Sequence, residues 1–595
     1  MDDQNKNLLL ATALSFVVIL VWFVMFPPPE QTATDPNAAV TAEASAPVAA
    51  AAANTAAAVA TEVDTNDAPR LAIETARVNG SISLKGGRID TLALKDYRNT
   101  LDEDSDIVTM LSPIDSAQPY YTLFGWAPGQ GLAIDQVPGA NTIWSVSGND
   151  TLTADAPVTL TWDNGAGLTF TREMAIDENY MFQITQSVTN SGATTVSLAP
   201  YGVIARHGVP EDMKNFFILH EGLISMADGE LAEVDYDDVA DLEFDAREGA
   251  RAEVTQVAEA GWTGFTDHYW MSTLIPEAGF KSVRKYDERS DVYQTEAVQP
   301  TQTLAPGATV TASTRLFAGA KEWEAIRAYE NNAGVPGFLD SIDWGWFFFF
   351  TKPIFWLLHT LNAMIGNMGW AIIGLTVVIK ILVFPLAYKS YASMAKMKEL
   401  QPQMEELKAK AGDDRQKMQQ AMMELYKKEK VNPAAGCLPI LIQIPIFFSL
   451  YKVIFVTLEL RHAPWVSWIT DLSAPDPSSI LNLFGLLAFT PPEPGSLLAI
   501  ISLGILPILL GISMWLQQKL NPAPTDPTQQ MIFAWMPWVF MFMLGGFASG
   551  LVLYWITNNM ITFTQQYLIM RSHGYKPDVF GNIKSSFKRK EKAKE

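Results

Sequence analysis

The sequence predicts a polytopic α-helical membrane protein with six transmembrane helices, joined to a large all-β domain built as an antiparallel sandwich. Three observations carry that prediction. Charge is segregated: of the 595 residues, 28–350 hold 47 acidic and 18 basic side chains, whereas 351–595 hold 15 acidic and 23 basic. Short runs with a period of two recur between 70 and 318, and apolar runs of bilayer length open the chain and fill much of its second half. This fits neither a wholly soluble enzyme nor a disordered chain. One cysteine, Cys437, excludes an intrachain disulfide framework and a multi-thiolate metal site. The six histidines never fall at ligand spacing, and HExxH, P-loop, GxSxG and dinucleotide fingerprints are absent, so no cofactor and no metal are expected. The acidity of the first half argues against DNA or another nucleic acid as its partner.

Residues 8–27, LLLATALSFVVILVWFVMFP, are twenty charge-free positions. At about 1.5 Å each they cross a hydrocarbon layer of about 30 Å. The leading MDDQNKN sets Lys6 against two acids, unlike the positive end of a cleaved signal, so 1–27 reads as a retained anchor; the small-residue stretch AEASAPVAAAAA is the feature that favours cleavage instead. Residues 28–69 are a disordered Ala/Pro-rich tether. The segments 77–84, 158–162 and 180–188 alternate apolar and polar residues as sandwich strands do. The interval 233–248, with eight acids and one Arg, is expected as a solvated loop and sheet edge; a calcium site lacks the EF-hand spacing. A short amphipathic helix at 319–332, with Trp323, Ile326 and Tyr329 on one face and Gly334 and Pro336 as its stop, ends the 70–332 domain. The aromatic segment 340–363, punctuated by Asp343, Lys352, Pro353, His359 and Asn362, reads as an interfacial amphipathic helix.

Five further spans follow at 369–388, 434–458, 497–516, 531–548 and 549–570, the last two meeting at the small residues 545–550. The stretch 480–490 is too short to cross and is expected to be reentrant or interfacial. Segment 389–430 holds ten Lys or Arg and the tail 571–595 eight, against one in 460–479. By the positive-inside rule the hairpin segment and tail are cytoplasmic, which puts the N-terminus inside and the sandwich outside; in a bacterium that is the periplasm.

Lys380 stands near the middle of 369–388, where a cation costs about 2.5–3.5 kcal/mol on an insertion scale. Two readings are open: a snorkelling or ion-paired lysine, or a charge facing a wet cavity, with Thr376 one turn earlier on the same face. Gln443 lies between Pro439 and Pro445, and Tyr554, Asn558, Thr562 and Gln565 form a stripe on the last span. The stripe either glues helices together or lines a cavity shared with Lys380. No carboxylate accompanies them inside spans two to six, which suits a cation that meets an acidic group brought by another molecule. Residues 389–411 and 415–430 read as an antiparallel helical hairpin joined at Gly412-Asp-Asp. Met394, Met397, Leu400, Met404 and Leu407 on one helix face Met418, Met422 and Leu425 on the other. Its methionines also suit an adaptable binding surface. The basic tail reads either as a solvated topology signal or as a patch for anionic lipid or ribosomal RNA.

The run YASMAKMKELQPQMEELKAKAGDDRQKMQQAMMELYKKEKVNPAAGCLPILIQIPIFFSLYKVI, with ELRHAPWVSWITDLSAPDP, NPAPTDPTQQ, MPWVF and ASGLVLYWITNNMITFTQQ, resembles the YidC family of membrane protein insertases. The motifs cover 345–572; GFTDHYW and LFAGAKEW extend the likeness, more weakly, into the sandwich, as in the Gram-negative form. The resemblance implies a hydrophilic groove open to the cytoplasm and to lipid. It implies a groove cation at Lys380, where the family usually carries Arg, a groove residue at Thr376, and a greasy slide on 434–458 and 531–548. It also implies a function: moving nascent inner-membrane proteins from the cytoplasm into the bilayer, alone or with the Sec translocon. Clients would arrive from the ribosome or signal recognition particle pathway, without nucleotide and without covalent chemistry. A post-insertion assembly scaffold is the alternative; a secondary transporter would need inverted repeats that are absent. The family's sandwich resembles sugar-binding mutarotase-like domains, and fold alone licenses no ligand.

Overall fold

The computed structural model describes residues 68–214, 219–411, 414–429, 431, 438–487, 492, 501–521, 527–575 and 577. The expected anchor, nearly all of the tether, Cys437 and most of the basic tail lie outside the described residues. Period-two alternation becomes two sheets. One runs from the edge strand Phe244–Asp245 through Ala250–Val257, Phe280–Asp287, Val292–Val298, Val196–His207, Tyr120–Pro128, Arg88–Arg98 and Val78–Ser83 to Arg70–Glu74. The other runs from Glu230–Asp235 through Gly222–Ala227, Gly261–Thr266, Trp270–Pro276, Thr309–Ala320, Met181–Asn190, Leu168–Ile176 and Ala156–Asp163 to Ser145–Thr153. These pairings are antiparallel; a parallel pairing of Ser145–Thr153 with Arg70–Glu74 joins the sheets.

The apolar sides of the two sheets share one core, in which Phe124 and Ile204 meet Leu274 and Phe265. Two pairs of buried hydroxyls bond across it, Tyr120 with Ser272 and Thr263 with Thr295. The acidic interval is more ordered than a loop, since it holds a strand end, the helix α1 (Tyr236–Ala240) and the edge strand. Helix α1 buries only Tyr236 and Val239 and leaves Asp237 and Asp238 outside, while Glu248 at the end of the interval is buried on Lys281. Helix α2 (Trp323–Asn331) begins four residues later than expected, because Thr309–Ala320 continues as a strand. It buries Ala325, Ile326 and Tyr329, while Trp323 turns away to pack on Phe355.

Helix α3 (Phe348–Ile365) leaves Trp346, Phe348, Phe349, Phe350 and Trp356 exposed and ends at Gly366, whose left-handed φ of 74° closes the helix without a Cβ clash. After Asn367, whose side chain accepts from Trp370 N–H, come α4 (Met368–Leu382), α5 (Phe384–Glu399), α6 (Gln401–Ala411), α7 (Arg415–Lys428), α8 (Leu438–Val456), α9 (Ile505–Leu520), α10 (Pro527–Met543) and α11 (Ser549–Ser572). The expected span 369–388 is not one helix: α4 and α5 are bent by 69° at Val383. Pro385, in the first turn of α5, has no N–H and cannot continue the ladder. The expected helix 389–411 divides in the same way before Pro402. Among the described residues no single helix is long and apolar enough to cross a membrane; the bent pair α4–α5 meets that test together. In 480–487 the chain makes only the turn Leu483–Gly485, with Leu483 and Phe484 at positive φ and Leu486 exposed.

Candidate functional site

Helices α4, α8 and α11 share a core that includes Leu375, Leu450, Leu551 and Leu553, and bury a polar cluster beside it. Lys380, in the last turn of α4, is 8% exposed. Its ammonium donates to Thr562 Oγ1 at 2.8 Å and, less closely, to Gln443 Oε1 at 3.4 Å. The other end of the Gln443 amide donates to Tyr554 OH at 2.7 Å. Lys380, Gln443, Tyr554 and Thr562 are therefore one hydrogen-bonded unit drawn from three helices. Among the described residues no carboxylate pairs with Lys380. An ammonium surrounded by neutral dipoles keeps its charge available to an incoming anion.

Thr376 lies on the same face, but its hydroxyl donates at 2.7 Å to Ile372 O of its own helix. Asn558 Oδ1 and Gln565 Oε1 are buried with no hydrogen-bond partner among the described residues. Two side chains on α11 escaped the spacing argument. Asn559 donates to Ser513 Oγ on α9 at 3.0 Å, and Gln566 to Asn521 Oδ1 at 3.1 Å. The doublets Asn558-Asn559 and Gln565-Gln566 were the available signal, because adjacent helical residues point about 100° apart and serve two neighbours.

Apolar side chains flank this cluster. Phe447 stacks on Trp555 at 4.6 Å, and Ile444 and Phe448 are exposed on α8. On α10, Ile532, Trp535, Val539 and Met543 are exposed. A surface this apolar needs an apolar neighbour.

The hairpin residues divide between two small cores. Met394 packs with Tyr391 and Ile569 on the end of α11, and Met397 lies at its edge. Leu400 and Leu425 are buried together with Val431, and Met404 and Leu407 pack against them. Met418 and Met422 are half-buried and belong to neither core. Lys398 joins hairpin to bundle: its ammonium donates to Lys519 O and Leu520 O, the free carbonyls ending α9. A second cation, Lys452 in α8, is buried on an ion pair with Asp343 at 2.5 Å.

A multi-helix bundle with a buried cation held, among the described residues, by neutral side chains, an exposed apolar face and a large sandwich defines a class: proteins that join an apolar helical bundle to an antiparallel sandwich. Comparison gives the class its family. The family described as YidC periplasmic domain matches residues 70–357, and that described as 60Kd inner membrane protein matches 360–576. The chain is 66% identical to the membrane protein insertase YidC of Ruegeria pomeroyi, with 100% of both chains covered. It is 67% identical to that of Roseobacter denitrificans, covering 100% of this chain and 99% of the relative. A crystal structure of an active YidC insertase with its first transmembrane domain resolved aligns over 84% of this chain and 93% of its own, at 18% identity and a TM-score of 0.35. The chain belongs to the YidC family of membrane protein insertases.

Proposed function

We propose that this insertase works through a wet groove centred on Lys380, which draws the polar tail of a nascent client part-way into the bilayer and then releases the client's apolar helix sideways into lipid. The observation that carries this reading is the buried Lys380 ammonium, held among the described residues by the neutral partners Thr562 and Gln443. A carboxylate reaching 4 Å from it gains about 4 kcal/mol at an effective dielectric near 20, enough for transient capture and too little for a trap. Thr562 and Gln443 give the ammonium partners to return to when the tail leaves. Partition of the client's span then supplies about 0.8 kcal/mol per buried methylene, so nucleotide and covalent chemistry are unnecessary. The exposed faces of α8 and α10 are the exit path on this reading.

In the same reading, 1–27, 369–388 (α4 with the start of α5), α8, α9, α10 and α11 are six spans, and the rest of α5 belongs to the hairpin. Both termini and the hairpin face the cytoplasm and the sandwich the periplasm, as the basic segments favour. The hairpin and tail receive clients from the ribosome or signal recognition particle route, with or without the Sec translocon. The test is insertion by the purified protein in liposomes of single-span clients whose translocated tails differ only in charge. Lys380→Arg should retain the preference for acidic tails, Lys380→Ala should lose it, and Lys380→Glu should be slowest. A tail-charge dependence identical in all variants would overturn the electrostatic role.

A further inference from the structure

The outer end of α8 is gripped from outside the bundle. Lys452 and Asp343 are 7% and 14% exposed at the side chain, so their ion pair is desolvated. Asp343 Oδ2 also accepts the backbone N–H of His220 from the sandwich at 2.9 Å, and its Oδ1 accepts Gly345 N–H. Beside the Lys452 stem the chain turns at Gly345 with a left-handed φ of 68°, which glycine adopts without strain. Three residues on from Lys452, Phe455 O takes a 2.7 Å hydrogen bond from His268 Nε2, whose ring stacks on Phe455. Packing is reciprocal: Leu458 enters the sandwich core, and Leu219 and Trp323 pack on the bundle core.

The same helix carries Gln443, the residue between Lys380 and Tyr554. Nine residues separate Gln443 from Lys452, about 13.5 Å along a helix axis. Pro445 lies between them and removes one ladder hydrogen bond, but the helix continues from Gln443 through Lys452, so a grip at Lys452 limits how far Gln443 can turn or slide.

We propose that Lys452 and Asp343 are positioning residues for the groove: their ion pair fixes the rotation and height of α8, and so holds Gln443 against Lys380. Neither touches the client. Breaking a buried ion pair on one side removes the main partner of the other charge, for Lys452 leaving the more weakly acting Glu233, and the segment over α8 relieves that cost by moving toward water, freeing the helix to shift. The inference rests on the groove reading above.

The experiment measures relative insertion of acidic-tailed and neutral-tailed clients by the full-length protein in liposomes. The variants are Lys452→Met, Asp343→Asn, the conservative Lys452→Arg, Gln443→Ala and Lys380→Ala. Asp343→Asn keeps an acceptor for His220 N–H and serves if Lys452→Met does not accumulate. Lys452→Met and Asp343→Asn, like Gln443→Ala, should lower the acidic-tail preference by about twofold to thirtyfold, and Lys452→Arg, which keeps a cation opposite Asp343, should retain most of it. Lost yield or thermal stability with an unchanged preference would overturn the positioning role and leave the pair as a fastener for the sandwich. If Lys380→Ala keeps the preference, the groove reading fails instead, and the two failures are told apart.

Discussion

His268 shows what a single side chain decides at the seam between sandwich and bundle. Burial pulls its pKa down to about 3, so the ring is neutral and donates through Nε2 to the end of α8. An unfolded histidine titrates near about 6.5, so the unfolded chain binds the extra proton first as pH falls. The contribution of His268 is therefore complete above about pH 6.5 and is lost progressively toward about pH 3. Thermal unfolding of the purified full chain should shift down between pH 7 and pH 4.5, and His268→Gln, which keeps an N–H donor without titrating, should shift less. Equal shifts would assign the acid sensitivity to other groups. Neither this role nor that of Lys452 was legible from sequence. GFTDHYW appears there as a run of residues without partners, and its contact with Phe455 spans 187 positions. Lys380 and Thr562 were legible, because a charge inside an apolar run and hydroxyls at helical spacing are local patterns.

Elements were legible where one period runs without interruption. The strands at 156–163 and 181–190 follow from alternation, and α11 from its spacing. The bend between α4 and α5 was missed although Pro385 was in plain view. Hydropathy runs on to residue 388 and counts the proline as harmless, whereas the backbone counts a missing donor. Replacing it tests this account. In Pro385→Ala, spin labels at the exposed positions Val377 and Tyr388 should move apart toward the straight-helix separation of about 16 Å. An unchanged distance would mean that packing of α5 on Ile569, and not the proline, holds the angle. The hairpin divides by the same logic: Met394 has the apolar character of its neighbours, and only the turn before Pro402 sends it to α11 while Leu400 stays with Leu425.

For the whole molecule the open quantity is orientation. In a variant whose Cys437 is replaced by Ser, single cysteines at Ser290 and Ser473 should react with an impermeant thiol reagent in intact spheroplasts, and one at Gln416 should react only after lysis. Labelling at Gln416 in intact cells would reverse the proposed topology. The sequence by itself determined the division into an acidic sandwich and a basic-flanked apolar bundle, the family, and the cation on which the groove reading depends. These are written in composition, period and motif, which are properties of neighbouring residues. The tertiary structure alone decided which neutral dipoles hold Lys380, that Asp343 answers Lys452 across 109 positions, and that Leu458 leaves the bundle to fill the sandwich core. Such pairings depend on the closure of long loops and on what is buried when they close, and no local pattern records that.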